Sequence, residues 1–389
     1  MNTRHKKMQE LLIKQDIGVA IFFRPDEVLM MTGYLPGWGL SFYLVFRNNY
    51  KVLLIPEYEP GDILPGEIDI IRYPWGIMGV DPWKELTTQL IRLLKAQAVD
   101  HLPVTFIKNA SQSGHALFCG EQPPLPGDID SLLAATSKEG FKNIDNDLLE
   151  LYHCKTREDL ASLQLVNEIS DIGIEVFYKN LTEGLTEAQL SSKIESEIQN
   201  QIGCHHGVRY AKSWAQIQSG VNTADSGFFN RSTGKIIRKN EPVLLEMATC
   251  VNGYYSDITR TGVVGDPSSL LSDIHHIVYE AQQKAVNILE PGRPISEIDY
   301  AARSYISHKG FGEYFNHALG HQLGFRYHDP GPSIVPRNNS LLKEGMTISI
   351  EPGIYGKDLR MGCRIEDNYY ISTTGVIRLS KASINLSGN

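Results

Sequence analysis

Short runs of consecutive apolar residues punctuate the first 140 or so positions: GVAIFF at 18–23, FYLVFRN at 42–48 and KVLLIP at 51–56. Runs of this length, rich in β-branched and aromatic residues, predict strands. After them the period lengthens. In WKELTTQLIRLLKAQ (83–97) apolar residues recur three and four apart, which lays one stripe along a helix. The mixture predicts an α/β domain with no visible chemistry of its own. The Pro- and Gly-rich CGEQPPLPGDID (119–130) reads as loop, and TREDLASLQLVNEISDIGIEVFYKNL (156–181) opens on Thr156 with Asp159 three residues on, the start of a long helix. The domain boundary is placed just before that helix, giving domains 1–150 and 151–389. Beyond it, TEAQLSSKIESEIQNQIG (186–203) and SDIHHIVYEAQQKAVNILE (272–290) predict two more helices flanking extended segments rich in polar residues.

Length and charge narrow the class. A chain of 389 residues, 42% of them hydrophobic, is long enough to form more than one core. A net charge of −8 offers no basic field for nucleic acid or for an anionic membrane, and no run of 18 or more apolar residues could span a bilayer. Asp16 interrupts the stretch where a secretory signal would need an apolar core. Five widely spaced cysteines without a CxxC pair suggest neither a disulfide framework nor a cysteine zinc site. The expectation is a cytoplasmic protein.

The candidate chemistry lies between residues 200 and 370. HALGHQLGFRYHD (317–329) holds His317, His321 and His328, three of the twelve histidines. In EPVLLEMATCVNGYYSDITRTG (241–262), Glu246 stands in an apolar run, Asn252-Gly253 is a hairpin-turn dipeptide, and Asp257 falls on the return strand. A hairpin there brings two carboxylates into one site. TISIEPGIY ends a strand in Glu351, and GCRIEDNYYI sets Glu366 within another. Each acid alone has a plainer reading: Asp257 paired with Arg260, Glu366 with Arg364, Glu351 capping a strand. Four acids beside a histidine-rich stretch favour ligation of Mn, Co, Fe or Zn, since a charged carboxylate inside an apolar strand needs a partner or a metal, and shared carboxylates suit a two-metal site.

The ordered set Glu246, SDITRT with Asp257, GHQLG with His321, IEPGIY with Glu351 and RIED with Glu366 resembles the creatinase, aminopeptidase P, prolidase and methionine aminopeptidase superfamily over the C-terminal 230 or so residues. The resemblance implies an α+β protein, with a creatinase-type α/β domain followed by a catalytic pita-bread domain. It implies two divalent metal ions on Glu246, Asp257, His321, Glu351 and Glu366, and a metal-activated hydroxide attacking the carbonyl of an amide bond to a proline-like nitrogen, as in Xaa-Pro aminopeptidases and dipeptidases. By the same resemblance Glu351 doubles as general base, His328 stabilises the oxyanion, His317 positions the scissile group and Arg364 orients Glu366 or Asp257. A small peptide or amide is the expected substrate and a homodimer the expected assembly. In some relatives the N-terminal domain reaches a neighbour's site, a role open to Trp38 and Tyr43 beside the plainer one of core packing.

Two departures keep other functions in view. The first ligand of such peptidases is aspartate, and Glu246 is one methylene longer. A further histidine, usual a few residues after an SG-x-N segment, is missing: none occurs between His206 and His275, and the chain reads Ser-Gly-Phe-Phe around Gly227 and Phe228. Either His205 or His206 substitutes, or the pocket differs. A metal-independent, creatinase-like C–N hydrolase of a small amide and a non-catalytic peptide-binding protein are the competing readings.

Overall fold

The computed structural model describes residues 3–59, 68–108, 129–226 and 232–387; Gly227, Phe228 and most of the expected loop at 119–130 lie outside them. The described chain falls into two compact units that meet in sequence between Tyr152 and His153.

The three apolar runs of the first unit form β1 (Val19–Phe22), β2 (Phe42–Phe46) and β3 (Lys51–Pro56), with every residue buried. With β4 (Asp69–Tyr73) and β5 (Val104–Thr105) they make a mixed five-stranded sheet of order β4-β3-β2-β1-β5. Helices α1 (Thr3–Lys14), α2 (Pro25–Thr32), α3 (Pro82–Ala96), α4 (Ile129–Ala134) and α5 (Asp145–His153) accompany it. The predicted stripe on α3 buries Leu86, Leu90, Leu93 and Leu94, and Asp81 caps its first turn. Of the two aromatics singled out, Tyr43 is core, fully buried with its hydroxyl 2.8 Å from His5 Nε2, whereas Trp38 is half exposed.

In the second unit Thr156 caps α6 (Arg157–Asn180), with the Asp159 carboxylate returning a bond to the Thr156 amide, and Thr186 caps α7 (Glu187–Asn200) in the same way with Gln189. Strands β6 (Ala211–Ser219), β7 (Pro242–Val251) and β8 (Tyr254–Val263) form an antiparallel sheet. After it come α8 (Ser269–Val286) and α9 (Ile295–His308), the latter an element the sequence reading passed over. The chain ends in β9 (Thr347–Ile350), β10 (Gly353–Gly356), β11 (Met361–Arg364), β12 (Asp367–Ser372) and β13 (Gly375–Arg378), paired as β13-β12-β9 and β10-β11. Ile274, Val278, Ile298, Ile306, Ile348, Ile350 and Ile365 belong to one core cluster, so α8 and α9 back the segments that lead into the last two acids. Among the described residues no helix is long and apolar enough to cross a membrane.

Candidate active site

The β7–β8 hairpin sets the first two acids. Asn252 (φ 51°) and Gly253 (φ 93°) both adopt the left-handed conformation that a two-residue hairpin turn of this hand requires, which favours Asn-Gly. The turn fixes the register at Glu246 opposite Thr259 and Ala248 opposite Asp257. Side chains alternate along a strand, so Glu246, Asp257 and Thr259 share one face, with the two acids diagonal to each other.

His321 arrives on an extended segment laid against β9, with Gly320 bridging Ile334 and Gln322 bridging Ile348. A side chain at 320 would run into the Ser349 carbonyl, so the residue before His321 is glycine. The His321 Nδ1–H donates to the Gln322 carbonyl (3.0 Å), which turns Nε2 toward the acids, 3.3 Å from Asp257 Oδ2 and 3.6 Å from Glu351 Oε1. Glu351 directly follows β9. Glu366, expected within a strand, lies in the link between β11 and β12, held by its amide to the Thr259 carbonyl (3.1 Å) and by the Thr259 hydroxyl donating to Oε2 (2.8 Å).

The donor atoms fall into two overlapping groups, Asp257-His321-His328 and His321-Glu351-Glu366, each with its atoms within 4.8 Å of one another. Burial raises the carboxyl pKa of Asp257 and Glu366 well above the usual range, and repulsion from neighbouring carboxylates adds to it; Glu351 is pushed up to about 8 by burial first and Glu366 second. Crowded acids of this kind ionise together only beside added positive charge. Asp257 Oδ1 and Glu366 Oε1 are buried without a hydrogen-bond partner. Oxygen-rich donors with one imidazole and two orphaned carboxylate oxygens fit a divalent cation.

Around these groups, His328 stacks on His321 with ring centroids 3.5 Å apart. His317 donates from Nδ1 to the Ala318 carbonyl (2.7 Å) and keeps a buried, unpartnered Nε2. Burial lowers the pKa of both outer imidazoles, His317 to about 3, helped by Arg364, so both are neutral near pH 7.

The arginine is placed differently from expectation. Arg364 forms its buried ion pair with Glu246, not with Asp257 or Glu366, and reaches Glu366 only through Thr259, whose hydroxyl accepts from Arg364 Nε (3.0 Å). Arg260 likewise turns to Asp367 (2.7 Å) and away from the Asp257 pairing considered for it. Glu246 belongs to neither donor group: Tyr327 donates to its Oε1 at 2.5 Å and Arg364 holds its Oε2. Tyr327, Thr259 and Tyr355, whose hydroxyl accepts from Arg364 Nη1 (3.0 Å), were missed from sequence. Thr259 carried a readable signal, lying two residues after Asp257 and therefore on the same strand face. His205 Nε2 lies 3.4 Å from Glu168 and His206 is exposed, and neither belongs to a donor group.

Comparison with known proteins gives the family. Residues 161–373 match metallopeptidase family M24. The chain is 33% identical over 387 residues to an Xaa-Pro dipeptidase of Pyrococcus furiosus, covering 98% of each, and 28% identical over 386 residues to one of Pyrococcus horikoshii, covering 98% of this chain and 97% of the other. It superposes on the crystal structure of the Pyrococcus horikoshii prolidase with a TM-score of 0.78 at 26% identity, covering 99% of this chain and all of that one.

Proposed function

Since this chain belongs to metallopeptidase family M24, we propose that it cleaves the amide bond to a proline-like nitrogen in a small peptide, using a divalent ion of the Mn, Co, Fe or Zn class. The observation that carries the reading is the convergence of Asp257, Glu351 and Glu366 on the Nε2 side of His321, with two buried carboxylate oxygens unpartnered. The similar Pyrococcus dipeptidases bear Xaa-Pro names, which supports proline-like specificity.

A divalent ion there supplies Lewis acidity and lowers the pKa of water toward about 7. The protein's own groups supply the rest. Glu351 takes the proton from the attacking water and passes it to the leaving nitrogen. His328 donates to the developing oxyanion and His317 Nε2, buried and free of other bonds, positions the scissile group. Thr259 holds Glu366 in place. The alternatives without metal or without catalysis are not favoured by the family or by the donor set.

The test is chelation followed by reconstitution. Dialysis against a strong chelator should abolish hydrolysis of Xaa-Pro peptides, and added Mn(II) should restore it. Full activity after complete metal removal would overturn the proposal.

A further inference from the structure

Glu246 is the one residue of the expected ligand set that the structure leaves out of both donor groups. Its carboxylate is already engaged at each oxygen, by the Tyr327 hydroxyl at Oε1 (2.5 Å) and by the Arg364 guanidinium at Oε2. All three side chains are buried. Arg364 is held on its remaining nitrogens by Tyr355 and Thr259, both at 3.0 Å, so it cannot turn away without breaking those bonds too. Releasing Glu246 to a cation would leave a guanidinium buried and unpaired, a costly state.

The position of Tyr327 adds an independent reason. Its hydroxyl donates to Glu246, and the phenol lies within electrostatic reach of Asp257. The hairpin sets these two acids diagonally on one face, and the phenol proton already engages Glu246 Oε1 on that face. The extra methylene of glutamate over aspartate carries the carboxylate out to Arg364 and Tyr327, and Glu246 is satisfied at both oxygens without a cation.

We infer that Glu246 is a charge-clamping residue and not a metal ligand, and that the chain takes one divalent ion, at the His321-Glu351-Glu366 group beside Asp257, instead of two. The inference rests on the metallopeptidase reading above and refines its metal content. The Arg364–Glu246–Tyr327 cluster then acts as a positioning device that holds Glu366 through Thr259.

The test is metal stoichiometry on the full chain. Metal-stripped protein is titrated with Mn(II) alone by calorimetry and followed by electron paramagnetic resonance. Wild type should bind one Mn(II) per chain and show the hyperfine-split signal of an isolated ion. Glu246→Gln, which keeps length and an acceptor oxygen, should still bind one ion with affinity within about tenfold of wild type, a shift of one decade or less in Kd. Circular dichroism establishes that the variant is folded, and Tyr327→Phe, with one ion again expected at the His321-Glu351-Glu366 group, serves if it is not. Two ions in the wild type, an exchange-broadened signal, or a loss of affinity beyond that limit in the variants would overturn the inference while leaving the metallopeptidase reading intact. No binding by folded wild type would overturn both.

Discussion

The imidazole rings of His321 and His328 lie stacked, with centroids 3.5 Å apart and 22° between their planes. His321 belongs to both donor groups, whereas His328 belongs only to the one with Asp257. With the ion in the Glu351-Glu366 group, the two histidines separate in a mutant series. His321→Ala should lose bound metal and activity together. His328→Ala should keep its metal and lose about 10² to 10³ in kcat, the size of one lost oxyanion donor. Elemental analysis beside steady-state kinetics checks both, and loss of metal from the His328 variant would reassign the ion to the Asp257 group.

A pH effect is expected in the first unit, remote in sequence from these histidines. His5 is buried beside the Tyr43 hydroxyl, and burial, with Lys51 and Arg4 adding to it, lowers its pKa from 6.5 to about 4. Its folded value lies below its unfolded one, so the unfolded chain binds the extra proton first. The stability contribution is whole above pH 6.5 and is lost as pH falls toward 4, by up to about 3 kcal/mol. Denaturant titrations of the protein and of His5→Gln across that window should show a steeper decline in the former; equal slopes would refute the assignment.

These two cases mark what could be read in advance. Strands β1 to β3, α3, the Thr156 cap and the Asn252-Gly253 turn follow from local rules, apolar runs, periodicity, capping and left-handed backbone, and each appears where its pattern lies. The positions of Asp257, His321, Glu351 and Glu366 were legible because each sits at a strand, a turn or a marked motif. The partner of Arg364 was not. Glu366 is two residues away in sequence, yet the guanidinium goes to Glu246, 118 residues back. Which acid an arginine meets depends on how β11 lies against the β7–β8 hairpin, and no local pattern encodes that. Tyr327 escaped for the same reason: beside His328 it reads as one more aromatic, and only the fold aims its hydroxyl at Glu246.

The substrate preference follows from a histidine that the chain lacks. None occurs between His206 and His275, and His205 and His206 stand outside the donor groups. A pocket without that polar contact discriminates poorly in favour of a substrate that would use it. Plain Xaa-Pro dipeptides should therefore be turned over weakly, and longer, cyclic or N-substituted amides better. A panel assayed with saturating Mn(II) decides the matter, and a kcat/KM for a plain dipeptide at or above about 10⁴ M⁻¹s⁻¹, in the ordinary enzyme range, would sink the specificity argument.

The last expectation concerns how the histidine segment is held. Lys155 and Asp329 form an ion pair at 2.6 Å with both side chains fully buried, joining the residue before the Thr156 cap to the residue after His328. Asp329 Oδ1 also accepts from the Arg326 amide (2.8 Å), which shapes the turn carrying Tyr327 and His328. Lys155 Nζ lies 5.2 Å from the centre of the Phe325 ring, so the cation is enclosed by apolar surface on that side. Removing one partner leaves the other charged and desolvated, and Lys155→Met should cost about 3 to 5 kcal/mol. Adding Asp329→Asn removes the stranded charge, so the double variant should cost clearly less than the sum of the two single changes. Because Asp329 adjoins His328, the single variant should also lower kcat more than it raises KM, with metal content unchanged. Chemical denaturation of the three variants measures the coupling, and strictly additive losses would show that the pair does not act as a unit.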